Sequence, residues 1–290
     1  MNLLPSFITR KYHKRHRKAL YRKACELPDA DLAPSDDPID VVIPIIERDL
    51  AILPLCMEGV RRCVANKVAA VYIVAAPTET IKTAADRMGA IFVDESGVLG
   101  YDASDLHIIT RNGADRSGWI FQQLLKLSGA IGQSRRFMVI DADHILLRPH
   151  VMADSQGRHV MYMSEEYNSP YYANMRRLTG IRKPDRLSYV AHKMIFDRVK
   201  LKQLRDIIEK RHGNSMSWDK VITSSLDLKY TSNFSEFELY GNFLPDADKV
   251  LIPWRQKALV KSSVIPCYDE LVERYAAEYR SVTYPYYMAT

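Results

Sequence analysis

Between Ile39 and Glu95 the chain alternates short apolar runs with amphipathic helical runs at regular spacing. Ile39 to Ile43 reads as a strand ended by Pro44, and Leu50 to Val64 as a helix that takes Pro54 in its first turn. Val68 to Ala76 reads as a second strand. Thr78 to Met88 is a helix capped by Thr78 or Thr80 and stopped at Gly89, and Ala90 to Val93 is a third strand ending in Asp94-Glu95. Strand–helix–strand–helix–strand at this spacing predicts an α/β fold with a mostly parallel, Rossmann-type sheet flanked by helices. No G-x-G-x-x-G follows the first strand and no P-loop occurs anywhere, which argues against a dinucleotide site and a Walker NTPase.

The strongest chemical signal lies in mid-chain. Phe137 to Ile140 form a fully apolar run, the signature of a buried central strand, and Asp141 and Asp143 follow at once. A second apolar run, Ile145 to Leu147, resumes before Arg148-Pro149 stops it. Open α/β sheets bind ligands outside the carboxyl ends of their strands, so paired acids there read as a site. Two carboxylates one residue apart suit a hard divalent cation that also holds phosphate oxygens.

Gly118 to Ser128 reads as the helix before that strand. Ile120, Leu124 and Leu127 make its apolar edge, with Phe121 and Leu125 beside it, while Trp119, Gln122 and Lys126 share another face. That polar stripe is either a solvent face or the wall of a pocket in front of the acidic strand. Met161 to Tyr172, aromatic and polar, reads as an irregular binding loop. Tyr189 to Phe196 reads as a strand containing His192, either a core histidine or a site residue. Asp197 to His212 is an amphipathic helix stopped by Gly213, and Ser217 to Ile222 starts another. Ser235 with Glu238 three residues on makes a capping box. Leu271 to Tyr279 reads as a final helix. No internal repeat is evident.

Composition enters where partners are concerned. The 290 residues are 47% hydrophobic and 26% charged, ordinary for a globular chain with a sizeable core. Residues 1–23 carry eight of the 41 basic residues and no acid, leaving 33 basic against 35 acidic residues and a net of −2 elsewhere. The basic excess therefore belongs to an arm, residues 1–37, and the body has no charge reason to bind nucleic acid. Such an arm lies on an anionic membrane surface, docks on its own body, or stays solvated and disordered; RNA binding is the weakest alternative, because no aromatic platform or recognised RNA module accompanies it. It lacks the apolar core of a secretory signal, and no run reaches the roughly 18–20 residues that span a bilayer. Cys25, Cys56, Cys63 and Cys267 show no metal or disulfide spacing and read as buried, reduced thiols of a cytoplasmic protein.

Four motifs in this order carry a resemblance: Gly118-Trp-x-x-Gln-Gln-x-x-Lys-Leu127, Val139-Ile-Asp-Ala-Asp143, Ala191-His-x-Met-x-Phe196 and Ser235-Glu-Phe-Glu-Leu-Tyr-Gly241. Together with a Rossmann-like first half, they resemble GT-A-fold glycosyltransferases. More narrowly, they are similar to a little-characterised family of bacterial enzymes linked to surface polysaccharide synthesis. The resemblance covers about residues 39–255. It implies a UDP- or GDP-type nucleotide-sugar donor, a glycan or lipid-linked acceptor, and Mn²⁺ or Mg²⁺. Residues 38–150 would then bind the donor, and 151–290 would form the acceptor half of the same domain.

Further roles follow from the resemblance. Asp143 would be the more direct metal ligand, and Asp141 would touch metal, ribose or both. Arg48 and Asp94 would contact base or ribose, and Trp119, Gln122 and Lys126 would wall the donor site. The Ala191-His-x-Met-x-Phe196 motif draws His192 toward metal or diphosphate. Many GT-A enzymes place a histidine ligand near the C-terminal end, and Val250 to Gln256 holds none, which leaves the third protein ligand open. An inverting transfer needs a base, for which Glu236 is first candidate and Asp219 second. A retaining mechanism needs no such base.

Other enzyme classes fit the same residues less well. A haloacid-dehalogenase-like phosphatase would use Asp141 as nucleophile, but its D-x-D ends the first strand and takes Thr or Val where Ile145 stands. A nucleotidyltransferase would need a Gly-rich basic loop after the first strand, and Pro44-Ile-Ile-Glu-Arg-Asp49 is not one. A non-catalytic sugar- or nucleotide-binding protein is the alternative of a different kind.

Overall fold

In the computed structural model, which describes residues 6–26, 31–182, 187–260 and 265–285, the first element is a long helix, α1 (Ser6–Glu26). The expected alternation follows as β1 (Ile39–Pro44), α2 (Leu53–Cys63), β2 (Val68–Ala75), α3 (Glu79–Arg87) and β3 (Ile91–Asp94). Pro54 sits in the first turn of α2, where an N–H would lack a partner anyway, and Thr78 caps α3 by accepting from Ile81 N–H. Then come α4 (Glu95–Leu99), α5 (Ser117–Ser128), the acidic strand β4 (Arg136–Ile140) and β5 (His144–Leu146). The remainder comprises β6 (His159–Met163), α6 (Ser169–Thr179), β7 (Lys193–Asp197), α7 (Arg198–Arg211), α8 (Trp218–Ser224) and α9 (Glu236–Phe243). It ends with β8 (Lys249–Pro253), β9 (Gln256–Ala258), α10 (Tyr268–Tyr275) and β10 (Ser281–Thr283).

Five strands form the central sheet in the order β3-β2-β1-β4-β7. The first four run parallel, and β7 pairs antiparallel to β4 with Phe196 opposite Phe137. The second half of the sequence thus contributes a strand to the first half's sheet. Connections run one way from β1 to β2 and β3 and the other way to β4, so β1 and β4 flank a topological switch point. Ligands bind outside the carboxyl ends of such a pair.

Period-2 alternation splits the core into two layers. Val41, Ile43, Met138 and Ile140 face one side, packed with Leu53, Cys56 and Val60 of α2. Val42, Phe137 and Val139 face the other, packed with Phe121, Leu124, Leu201 and Tyr240 from α5, α7 and α9. All six residues of β1 are buried. Each fully buried Val or Ile there contributes about 1.5–3 kcal/mol. The buried Asp40 is satisfied by the loop before β4: Oδ2 accepts from Gln133 N–H and Ser134 N–H, each at 2.7 Å. Gly132 permits that closure, with φ at +85° and the position of a Cβ only 2.4 Å from Asp40 Oδ2.

The described part of the arm docks on the body. Arg17 is buried, donates to Glu166 C=O at 2.8 Å and stacks 4.5 Å from the Tyr167 ring. The Tyr21 hydroxyl donates to Trp254 C=O, and the Arg255 guanidinium to Cys25 C=O. Arg15, Lys18, Arg22 and Lys23 are exposed. Among the described residues no helix is long and apolar enough to cross a membrane. Of the cysteines, Cys56 and Cys63 are buried as expected, whereas Cys25 is half-buried and Cys267 exposed.

Candidate active site

Asp141 and Asp143 occupy a tight turn between β4 and β5. Asp141 C=O accepts from His144 N–H at 3.0 Å, and Asp143 C=O accepts from Tyr284 N–H at 3.0 Å. Ala142 between them points into the core, and both carboxyls approach His192. Opposite the turn stands His192. It does not lie inside a strand, as its apolar flanks suggest, but immediately before β7, with φ at +54°. Its carbonyl accepts from Asp141 N–H at 2.9 Å, and its Nδ1 lies 2.9 Å from Asp141 Oδ2. The left-handed backbone lets one residue supply both contacts, and Trp254 backs the ring at a centroid distance of 5.3 Å.

Lys126 joins this turn to α9. Its Nζ lies 2.8 Å from Asp141 Oδ1 and 2.9 Å from Glu236 Oε1, with the Lys126 and Glu236 side chains 4% and 5% exposed. Burial alone would drive this ammonium toward neutrality, but the two carboxylates outweigh it and hold its pKa above the usual lysine range. The same balance acts on Asp141: burial pushes its pKa up, Lys126 and His192 pull harder, and it ends well below the usual carboxylate range.

Asp143 behaves oppositely. Burial first, then the charge of Asp141, push it up to about 6, with Asp49 adding in the same direction. No side chain among the described residues hydrogen-bonds to it. Burial lowers the pKa of His192, but its bond to Asp141 and the charges of Asp141, Asp143 and Glu166 raise it overall. Beneath them the buried Lys193 lies 3.4 Å from His144 Nε2 and 4.6 Å from the Tyr162 ring, and burial drives its ammonium well below the usual range.

Asp141, Asp143 and His192 each bring a ligand atom within 4.8 Å of the others. Two carboxylates and an imidazole form a donor set that fits Mn²⁺ or Mg²⁺. Lys126 and His192 already engage both oxygens of Asp141, so Asp143 carries the less engaged carboxylate.

The remaining expected site residues divide. Glu236 opens α9, and its N–H donates to Gln123 Oε1 at 3.2 Å. Ser235 caps α9 by accepting from Glu238 N–H, but Glu238 does not return the bond that a capping box requires. Its carboxyl accepts instead from Tyr172 and Ser188, each at 2.6 Å, and from Asn242 at 2.9 Å. Trp119 is half-buried under the Arg116 guanidinium, 4.2 Å from its ring, and Gln122 is half-buried. Arg48 is exposed, 3.6 Å from Asp49 in the turn after β1. Asp94 caps α4, accepting from Ser96 N–H at 3.0 Å. Asp219 accepts from the Tyr101 hydroxyl at 2.7 Å in a separate cavity and joins none of the cluster's contacts.

Three residues near the cluster escaped the sequence reading. Gln123, rather than Gln122, bridges α5 to α9: its Oε1 accepts from Glu236 N–H, while its Nε2 donates within α5 to Trp119 C=O at 3.3 Å. Asp49 and Glu166 act through charge, on Asp143 and His192 respectively. Only the Gln122-Gln123 pair and the aromatic loop around Glu166 carried a local signal.

Residues 36–261 match the model of DUF6492, a family of unknown function. The chain belongs to that family. No curated protein matches this DUF6492 chain. Solved structures similar to it include mouse xyloside xylosyltransferase 1 in its apo form, at 11% identity over 87% of this chain and 99% of that one, with a TM-score of 0.48. Glucosyl-3-phosphoglycerate synthase from Mycobacterium tuberculosis, in complex with Mn²⁺, UDP and glucosyl-3-phosphoglycerate, aligns at 12% identity over 75% of this chain and 70% of that one, with a TM-score of 0.34. Against the same synthase with phosphoglyceric acid, the DUF6492 chain spans 34% of that chain's length, at 17% identity over 38% of its own and a TM-score of 0.25.

Proposed function

We propose that the chain is a metal-dependent glycosyltransferase that moves a sugar from a UDP- or GDP-type donor to a glycan or lipid-linked acceptor. One observation carries the reading: Asp141, Asp143 and His192 converge, backed by Lys126 and Glu236, outside the carboxyl end of β4 at the sheet's switch point. Departure of a nucleoside diphosphate develops negative charge, and a divalent cation held by Asp141, Asp143 and His192 would supply the neutralisation that lowers its cost. Lys126 keeps Asp141 ionised and oriented. Asp94, Arg48, Trp119 and Gln122 remain donor-binding candidates on the strength of the motif resemblance.

The acceptor step is assigned to Glu236. Its carboxylate takes the proton of the acceptor hydroxyl as that oxygen forms its bond to the sugar's anomeric carbon. The carbon–phosphate oxygen bond breaks, and the nucleoside diphosphate leaves with the electron pair, inverting the anomeric centre. The buried Lys126 ammonium and the Gln123–Glu236 backbone bond fix the carboxylate for that task.

A lipid-linked acceptor would bring the protein to the cytoplasmic face of the inner membrane. The exposed Arg15, Lys18, Arg22 and Lys23 of α1 supply a basic face for peripheral contact with anionic headgroups. The decisive experiment is a thermal-shift screen of nucleotides and nucleotide sugars with and without Mn²⁺, followed by transfer assays of Asp143→Ala. Metal-dependent stabilisation by one nucleotide, lost in the variant together with transfer, is expected. A folded variant with full transfer activity would overturn the reading.

A further inference from the structure

Asp219 is 7% exposed and lines a cavity of about 420 Å³, a size within the range of small-molecule sites. Its Oδ2 accepts from the Tyr101 hydroxyl at 2.7 Å, while Oδ1 has no hydrogen-bond partner among the described residues. Arg205 and Lys220 line the same cavity, yet neither pairs with Asp219. The Lys220 ammonium lies 4.3 Å from the Tyr101 ring centroid, and Arg205 donates to Ser128 C=O with its guanidinium 5.6 Å from the Trp218 ring. With Oδ2 taken by Tyr101, Oδ1 is the Asp219 oxygen left to accept from a molecule held in the cavity.

The cavity lies behind α5 as seen from the metal-ligand cluster. Ser128 lines it, and Lys126, which contacts Asp141, stands two residues earlier on that helix, about 200° around the axis. It is therefore a site apart from the crevice.

We propose that this cavity is a second, non-catalytic saccharide-binding site, with a sugar hydroxyl donating to Asp219 Oδ1. The proposal rests on the glycosyl-transfer reading for its choice of ligand class, and the cavity's chemistry supports that choice. A sugar offers several O–H donors for Oδ1 and oxygen acceptors for Lys220 and Arg205. Its C–H face packs on Val98, Leu99 and the edge of Trp218. A nucleobase fits worse, because Tyr101 already packs against Phe121 at 5.8 Å and carries Lys220 over its ring, and Arg205 lies over Trp218. Such a site would hold a glycan at a distance from the reacting sugar.

The test is saturation-transfer NMR on the full chain, with EDTA and without nucleotide, so that it does not depend on transfer activity. The probes are methyl glycosides of glucose, galactose, mannose and N-acetylglucosamine. At least one is expected to bind. Asp219→Asn preserves the acceptor for Tyr101 and should weaken that binding at least ~10-fold, the loss on the order expected when a charge-assisted bond becomes a neutral one. Asp143→Ala should leave it within about twofold, since the sites are separate. A folded Asp219→Asn variant, checked by circular dichroism, that binds as well as the parent chain overturns the proposal. So does loss of binding in Asp143→Ala, or the absence of binding by every probe. None of these outcomes bears on metal-dependent transfer at the crevice.

Discussion

Lys126 and Asp141 sit 2.8 Å apart on neighbouring elements, the lysine at 4% side-chain exposure and the aspartate at 25%. Glu236 completes the arrangement at 2.9 Å from the same ammonium, so one cation answers two carboxylates in a site that water reaches poorly. Lys126→Met keeps most of the side-chain volume and removes the charge. Breaking a buried ion pair from one side leaves the other charge uncompensated, which costs about 3–5 kcal/mol. Urea unfolding of the variant should show a loss of that size. Adding Glu236→Gln to the Lys126→Met background should recover part of it, and a purely additive double variant would mean that the pair is not coupled.

Asp143 gives a pH signature. Its folded-state pKa stands at about 6 against an ordinary 3.8, because burial and Asp141 disfavour its charge. The raised value means that the metal-free fold is favoured by the protonated form. That contribution is complete below about pH 4 and is lost as pH rises through about 6. Asp143→Asn should therefore gain stability over the parent chain across that window, by on the order of 2 kcal/mol at neutral pH. Thermal melts at pH 4 and pH 7.5 with EDTA check the sign. Added Mn²⁺ at pH 7.5 should stabilise the parent chain and not the variant, since the cation takes the place of the missing proton.

The basic arm yields a prediction that separates its two faces. Arg17 is 3% exposed and engages Glu166 and Tyr167, so it belongs to the body, whereas Arg15, Lys18, Arg22 and Lys23 face outward. Each basic residue near an anionic surface contributes about 1 kcal/mol. Converting the four exposed residues to Gln should cut binding to phosphatidylserine-containing vesicles by ~10-fold or more, with turnover on a soluble acceptor unchanged. Deleting residues 1–23 should weaken vesicle binding as well, and it also removes Arg17 and Tyr21 from the surface that Trp254 shares. Equal co-sedimentation of the parent chain and the quadruple variant would rule the membrane contact out.

How far the sequence reads depends on the range of each interaction. The parallel strands β1 to β4 follow from local periodicity, because a strand buried on both faces must be apolar throughout. The turn at Asp141 and Asp143 follows from where that periodicity stops. His192 shared a motif with its flanks, but its φ of +54° and its bond to a residue 51 positions away depend on β7 pairing antiparallel to β4. No local pattern encodes that pairing. Gln122 and Gln123 are adjacent in sequence, and which of them meets Glu236 is decided by the rotation of α5 against α9. Asp219 lies at the start of a helix, as Glu236 does, yet α8 faces a cavity behind α5. The motif ranks Glu236 ahead of Asp219, but nothing local places the two in different parts of the fold.

That separation bears on the base. Glu236 stands beside the Asp141–Asp143–His192 cluster through Lys126, and Asp219 stands with Tyr101. Glu236→Gln is nearly isosteric and should keep the Gln123 bond to its backbone N–H, so donor affinity measured by calorimetry is expected to stay within a few-fold. Turnover should fall by ~10²–10⁴, the range that a positioned base contributes. The variant also loses one partner of Lys126, so its unfolding must be measured beside its kinetics and assays run well below its melting temperature. Chemical rescue sharpens the test: azide or formate supplied to the smaller Glu236→Ala should restore part of the rate if the missing group is a base. If transfer survives in Glu236→Gln with retained anomeric configuration in the product, the carboxylate serves only to hold Lys126, and the reaction proceeds without a protein base.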